Sequence, residues 1–180
     1  MNRELDEQLV QKYPKIFRDR NGDMRETLMC WGFDCGDGWY HIINSLCWNI
    51  QEYIDWSRSQ RARALRLNRK IKKAIELNSI EPIADIYTGE WWTERCEMIV
   101  KEKKYQPVPD KVCQVVAVQV KEKFGSLRFY YNGGDSKVDG MVRMAESISI
   151  NTCEVCGNKG KLRRGGWIRA LCDVHAGEKD

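Results

Sequence analysis

Hydrophobic positions along the chain change their period several times, and each change marks a predicted element. Leu5, Leu9, Val10 and Tyr13 recur at helical spacing, which predicts a short helix over 4–13 that Pro14 stops, because proline cannot continue the hydrogen-bond ladder. Asp19-Arg20-Asn21-Gly22-Asp23 has the composition of a turn. From Trp39 onward Ile42, Ile43, Leu46, Ile50, Tyr53 and Ile54 step by three and four, predicting a helix that Asp37 or Gly38 starts. Arg58 to Ile75 is again helical: Ala64, Leu67, Ile71, Ala74 and Ile75 fall within one arc of about 100°. The span from Pro82 to Pro109 is less regular, carries Trp91-Trp92 and predicts one further short helix.

The period then shortens to two. Val112 to Lys121 is dense in β-branched residues without a helical stripe and predicts a long strand buried on at least one face. Phe124-Gly125-Ser126-Leu127 reads as a tight reversal, after which Leu127, Phe129 and Tyr131 alternate with Arg128 and Tyr130 as the second strand of a hairpin. Gly133-Gly134-Asp135-Ser136 ends that strand and supplies a helix cap, and Val138, Met141, Val142, Ala145 and Ile148 form the next helical stripe. The predicted fold class is α+β, with a helical N-terminal region, a β-hairpin or small antiparallel sheet, and a cysteine-rich C-terminal appendage.

Composition narrows the class further. A chain of 180 residues with 42% hydrophobic and 31% charged residues buries a core, which excludes disordered and collagen-like chains. No apolar run approaches the roughly 18 residues that suggest a membrane-spanning helix, and Met1-Asn2-Arg3-Glu4-Leu5-Asp6-Glu7 is too polar and acidic to open a secretory signal. The expected location is therefore the cytoplasm, where the 8 cysteines serve as metal ligands or small core residues and not as disulfides. Only 2 histidines, His41 and His175, restrict any imidazole-based acid–base chemistry.

A net charge of +4 conceals an uneven distribution. Between Arg58 and Ile75 there are 8 basic and no acidic residues: Arg58, Arg61, Arg63, Arg66, Arg69, Lys70, Lys72 and Lys73, all outside the apolar arc. Nothing within the stretch relieves the mutual repulsion, so it is either a solvated face held by packing of the stripe or a surface for an anionic partner.

The tail carries the sharpest chemical signal. Cys153-Glu154-Val155-Cys156 and Cys172-Asp173-Val174-His175 form C-x2-C and C-x2-H pairs separated by 15 residues, with Gly157 placed for the turn. Each pair sets two ligands on one tight turn, and the intervening loop lets the turns close a tetrahedron on Zn²⁺. Cys153, Cys156, Cys172 and His175 leave no open coordination position, so the expected site is structural and not catalytic. The predicted organisation is an α+β domain over 1–150, containing the basic helix 58–75, and a zinc knuckle over 151–180.

Between the ligand pairs, Lys161, Arg163, Arg164 and Arg169, with Lys159, surround Trp167. The basic residues can hold phosphates while Trp167 stacks on a base, or Leu162, Trp167 and Ile168 can close a mini-core over the metal. Cys30, Cys35, His41 and Cys47 form a second group without familiar ligand spacing and read as core thiols with a polar surface histidine. No phosphate loop, nucleophile elbow or H-E-x-x-H helix is present.

Cys35-Gly36-Asp37-Gly38-Trp39, the run from Val120 to Tyr131 and the Cys153 to His175 knuckle resemble a family of small uncharacterised zinc-knuckle proteins of tailed bacteriophages and prophages. The resemblance spans most of 30–176; the basic helix is an elaboration beyond the shared segments. It implies origin in a phage or host bacterial cytoplasm and an accessory role, including countering a host defence, and it carries over no catalytic residue. The expected function is non-enzymatic binding of nucleic acid, or of a nucleic-acid-processing host complex, through the basic surfaces. The alternatives are a protein-interaction inhibitor docking on an acidic host protein and, behind it, a metal-dependent nuclease using His41 with nearby carboxylates. No membrane partner is expected.

Overall fold

A computed structural model describes residues 1–85 and 90–177, with the side chains of Glu90 and Trp91 excepted. The last three positions of the predicted knuckle, and the side chain of Trp91, lie outside the described residues. The helices are α1 (Arg3–Lys12), α2 (Tyr40–Leu77), α3 (Glu81–Ala84), α4 (Glu90–Glu102), α5 (Ser136–Ser149) and α6 (Asp173–Ala176); the strands are β1 (Phe33–Asp34), β2 (Cys113–Lys123), β3 (Ser126–Gly134), β4 (Lys161–Arg163) and β5 (Arg169–Leu171). The predicted α+β class is the observed one, and no described helix is long and apolar enough to cross a membrane.

The chain divides into two compact units, one formed by Met1–Ile54 with Val112–Asp180 and the other by Asp55–Lys111. The boundary expected at residue 150 is not where the chain parts: the knuckle belongs with the N-terminal helices and the hairpin, and the segment that forms a body of its own is the middle one. The reason is long-range hydrogen bonding between residues 36–39 and 152–154, in which the Gly38 amide donates to the Glu154 carbonyl, the Gly36 amide to the Glu154 carboxylate and the Trp39 indole to the Thr152 carbonyl, and which ties the tail into the first unit. The two predicted helices, from Trp39 and over 58–75, are one continuous α2, since no glycine or proline interrupts Tyr40–Leu77.

In the first unit Leu9, Ile16, Phe17, Met29, Trp39, Ile43, Ile50 and Ile54 are fully buried around the inner face of a three-stranded sheet of order β1-β2-β3. β2 and β3 pair antiparallel, with Lys123 opposite Ser126, so Phe124 and Gly125 alone make the reversal. Both have positive φ, 55° and 77°, as a two-residue hairpin turn whose twist matches its strands requires. β1 adds a parallel strand, Phe33 opposite Val120 and Asp34 opposite Lys121, so the sheet is mixed; two residues are too few to leave an alternating pattern in the sequence. Asp135 caps α5 by accepting from the amides of Lys137 and Val138.

In the second unit Ile71 and Ala74 of α2 are buried with Ile83, Cys96 and Ile99, and Leu67, Ile75, Ile80 and Val100 pack around them. The predicted apolar stripe is thus covered by α3 and α4, two helices where one was expected. Asn68 adds a polar clamp, donating to the Gln106 carbonyl at 2.9 Å and accepting from the Gln106 amide at 2.8 Å.

Candidate metal centre

Two local structures present the four predicted ligands. The first pair lies on a turn closed by the Gly157 amide donating to the Cys153 carbonyl (2.9 Å) and the Cys153 amide donating to the Asn158 carbonyl (2.7 Å). Gly157 takes φ 79°, where a side chain is strained, in keeping with its place after the first ligand pair. Cys172 is the N-cap of α6, and that single helical turn brings His175 back over it. β4 and β5 pair antiparallel between the two ligand turns and set them face to face.

The ligand atoms of Cys153, Cys156, Cys172 and His175 all lie within 4.8 Å of one another, close enough to hold one metal ion. Cys156 Sγ is 3.8 Å from Cys172 Sγ, and His175 Nδ1 is 3.6 Å from Cys153 Sγ and 3.1 Å from Cys172 Sγ. A tetrahedral ion with metal–sulfur bonds of about 2.3 Å separates its sulfurs by about 3.8 Å, so the donors stand near the corners of such a site. Burial pushes the Cys153 thiol up, but the amides of Cys172, Cys156 and Val155 directed at its sulfur outweigh that and lower its pKa to about 6, favouring the thiolate that a metal needs.

The Cys35–Trp39 segment is the bed on which this centre rests. Gly36 donates to Glu154 Oε1 at 3.0 Å, Gly38 donates to the Glu154 carbonyl at 2.8 Å, and the buried Trp39 donates through Nε1 to the Thr152 carbonyl at 2.9 Å. A Cβ at Gly36 would stand 2.2 Å from the Glu154 carbonyl oxygen, and one at Gly38 2.2 Å from the Cys153 carbonyl oxygen. Sequence reasoning missed these supports. The only signal for them is a pair of glycines two apart at the start of a helix, where no turn of their own demands both.

The predicted basic residues divide by partner. Lys161 and Arg163 both pair with Asp173, Lys161 at 3.3 Å, and Arg169 pairs with the buried Glu154 at 3.3 Å. They brace β4, β5 and α6 against each other, and the guanidinium of Arg163 with the ammonium of Lys161 holds the Asp173 carboxyl below the usual range. Arg164 has no ion pair among the described residues. Trp167 is 73% exposed, so it does not close a mini-core over the metal; Leu162 and Ile168 pack instead on the hairpin turn at Gly125.

On α2, Arg58 pairs with Asp55 (3.6 Å), Lys70 with Asp85 (2.7 Å) and Lys72 with Glu76 (3.8 Å), while Arg61 donates to the Pro109 carbonyl. Arg63, Arg66, Arg69 and Lys73 are exposed and make no ion pair among the described residues. Cys30, Cys35, His41 and Cys47 do not gather into a ligand cluster among the described residues. Cys30 donates to the Thr27 carbonyl at 3.1 Å, and burial pushes the Cys35 thiol up to about 12. His41 stacks edge-on against Tyr40 at 5.3 Å, and the Asp37 carboxylate is taken by the amide and side chain of Asn2 at 2.6 and 2.8 Å.

Comparison with known proteins returns no match: no family profile fits the chain, and no curated protein or solved structure is significantly similar to it.

Proposed function

We propose that this protein is a non-enzymatic nucleic-acid-binding protein, a phage accessory factor by its resemblance, with a structural zinc centre and a phosphate-binding face on α2. One observation carries the reading: Arg63, Arg66, Arg69 and Lys73 stand exposed on a helix whose apolar stripe is already buried, and none of them has an ion pair among the described residues. Uncompensated like charges on one face raise the energy of the free protein, and a polyphosphate backbone lowers it again while releasing counterions.

Zinc fits the donor set best, because three thiolates with one imidazole in a tetrahedral array suit that ion, and four protein ligands leave no place for an activated water. Bound there, it supplies folding energy. The chain's own residues do the rest: Cys153, Cys156, Cys172 and His175 hold the ion, and Glu154, Gly38 and Trp39 fasten the loaded turn to the helical core.

The test is a titration of labelled 20-base-pair duplex by fluorescence anisotropy at several salt concentrations. Engagement of four phosphates gives a log–log slope of about −3.6, and reversing Arg63 and Arg66 to Glu flattens it and lowers affinity more than tenfold. Affinity independent of salt, or no binding to nucleic acid alongside capture of an acidic host protein, overturns the reading in favour of the inhibitor alternative.

A further inference from the structure

The solvent face of the β2–β3 hairpin and its turn have no role in the metal centre or in the α2 face, yet they combine the two side-chain types that grip unpaired nucleotides. Register places Lys121 opposite Arg128 and Gln119 opposite Tyr130, so Lys121, Lys123, Arg128 and Tyr130 share one face while Val120, Leu127 and Phe129 fill the core on the other. Tyr130 is 42% exposed with the Lys121 ammonium 5.6 Å from its ring, and Phe124, at the turn, is 69% exposed with the Lys123 ammonium 5.6 Å from its ring. Gly125 lies so close to Leu162 and Ile168 that its Cβ would stand 2.4 and 3.1 Å from them, which sets these two residues of the β4–β5 hairpin against the same turn; the loop between them carries exposed Trp167 and Arg164, which has no ion pair among the described residues.

We infer that this face is a second binding site, for single-stranded nucleic acid. The inference rests on the nucleic-acid reading above and adds the substrate class. Burying a phenyl or indole ring in the core would have been favourable; Phe124 and Tyr130 are instead left in water, each with a lysine ammonium over its ring, and exposed Trp167 lies in the loop beside the turn, an arrangement that suits a flat apolar ligand that also carries negative charge. Unpaired bases have free faces to stack and a phosphate beside each one, whereas the bases of a duplex are already stacked on each other. Nearby carboxylates take up part of the charge: Glu146 pairs with Arg128 at 3.3 Å, Glu122 accepts from the Gly125 amide at 2.6 Å and Asp34 lies in register with Lys121, so the site rests on the exposed rings and on the Lys121 and Lys123 ammoniums that stand over two of them.

The experiment uses the full-length zinc-loaded protein with two fluorescein-labelled probes, a 20-nucleotide oligo(dT) and a 20-base-pair duplex. Replacing Phe124, Tyr130 and Trp167 together by Leu is expected to weaken oligo(dT) binding roughly 10- to 100-fold, the loss of one to two stacked bases, while duplex affinity changes less than twofold. Lys121→Gln with Lys123→Gln, which leaves every ring and all core packing in place, is expected to reduce the oligo(dT) salt slope by about 1.4. Unchanged oligo(dT) binding in both variants overturns the site. Duplex binding by the parent protein without oligo(dT) binding overturns it too and leaves the α2 reading standing; absence of both overturns both.

Discussion

The amide of Gly38 donates to the carbonyl of Glu154 at 2.8 Å, across more than a hundred residues of chain, and a Cβ at position 38 would stand 2.2 Å from the carbonyl oxygen of Cys153. Backbone thus lies on backbone between the start of α2 and the first ligand turn, with no room for a methyl group. Gly38→Ala is expected to cost about 1–3 kcal/mol by forced displacement of one turn or the other. Thermal melting and metal content measured together check this, and an unchanged melting temperature with full metal occupancy removes the packing argument.

Gly140 provides the opposite case. It sits inside α5, and a methyl group added there would meet nothing within 4 Å, so Gly140→Ala loses no space and removes unfolded-state entropy. A gain of about 0.5–1 kcal/mol is expected, a rise of roughly 1–4 °C in Tm for a chain of this size, read by calorimetry.

Removing the metal has a predicted spectroscopic signature. Trp39 is fully buried and its Nε1 donates to Thr152, the residue before the first ligand. Chelation at neutral pH is expected to loosen the knuckle and red-shift the emission of Trp39, best seen in a variant whose exposed Trp31, Trp48, Trp56 and Trp167 are replaced by Phe. Cys172→Ser is expected to give the same shift without chelator, and no shift in either case contradicts the coupling.

Asp6 and Arg20 form the most enclosed ion pair of the first unit among the described residues: Arg20 donates to both carboxylate oxygens at 3.0 Å and to the Cys30 carbonyl at 2.9 Å. Arg20→Ala strands a shielded carboxylate and is expected to cost about 3 kcal/mol, while Asp6→Asn in the same background restores part of that loss. A double-mutant cycle in urea measures it; additive losses count against the pair as the cause.

Asp135 predicts the acid side of the stability profile. Burial raises its pKa, but the Tyr53 hydroxyl at 2.6 Å and the amides of Val138 and Lys137 outweigh burial and leave it below the usual carboxylate value. The stabilisation is therefore fully present above the unfolded value of about 3.9 and is lost as pH falls through the lower folded value. Tyr53 behaves in mirror image: hydrogen bonding to Asp135, then burial, raise it to about 12, so its contribution is present below the unfolded value of about 10 and lost as pH rises through about 12. Asp135→Ala is expected to remove about 1 kcal/mol at neutral pH and to flatten both limbs, checked by urea melts from pH 2 to 11.

Much of this was legible in local pattern. The spacing of Cys153, Cys156, Cys172 and His175 located the metal centre because two ligands on one tight turn are adjacent whatever the rest of the chain does. The stripe from Ala64 to Ile75 located the buried side of α2 because helical period alone sorts residues by face, and the β-branched run from Val112 with the reversal at Phe124-Gly125-Ser126-Leu127 located the hairpin because period-two patterning on both sides of a glycine turn is local, while the two-residue loop and its register came only with the fold. Neither β1 nor the union of the tail with the N-terminal helices could be read in this way. Both rest on hydrogen bonds to backbone groups of segments far apart in sequence, and nothing in the local pattern around Gly36, Gly38, Trp39 or Glu154 names the distant partner. The charges were decided last: thirty basic residues are visible in the sequence, but which are spent on Asp173, Glu154, Asp85 or Glu146 and which stay open to a partner depends on Coulomb terms that fall off over a few ångströms, and only the folded chain sets those distances.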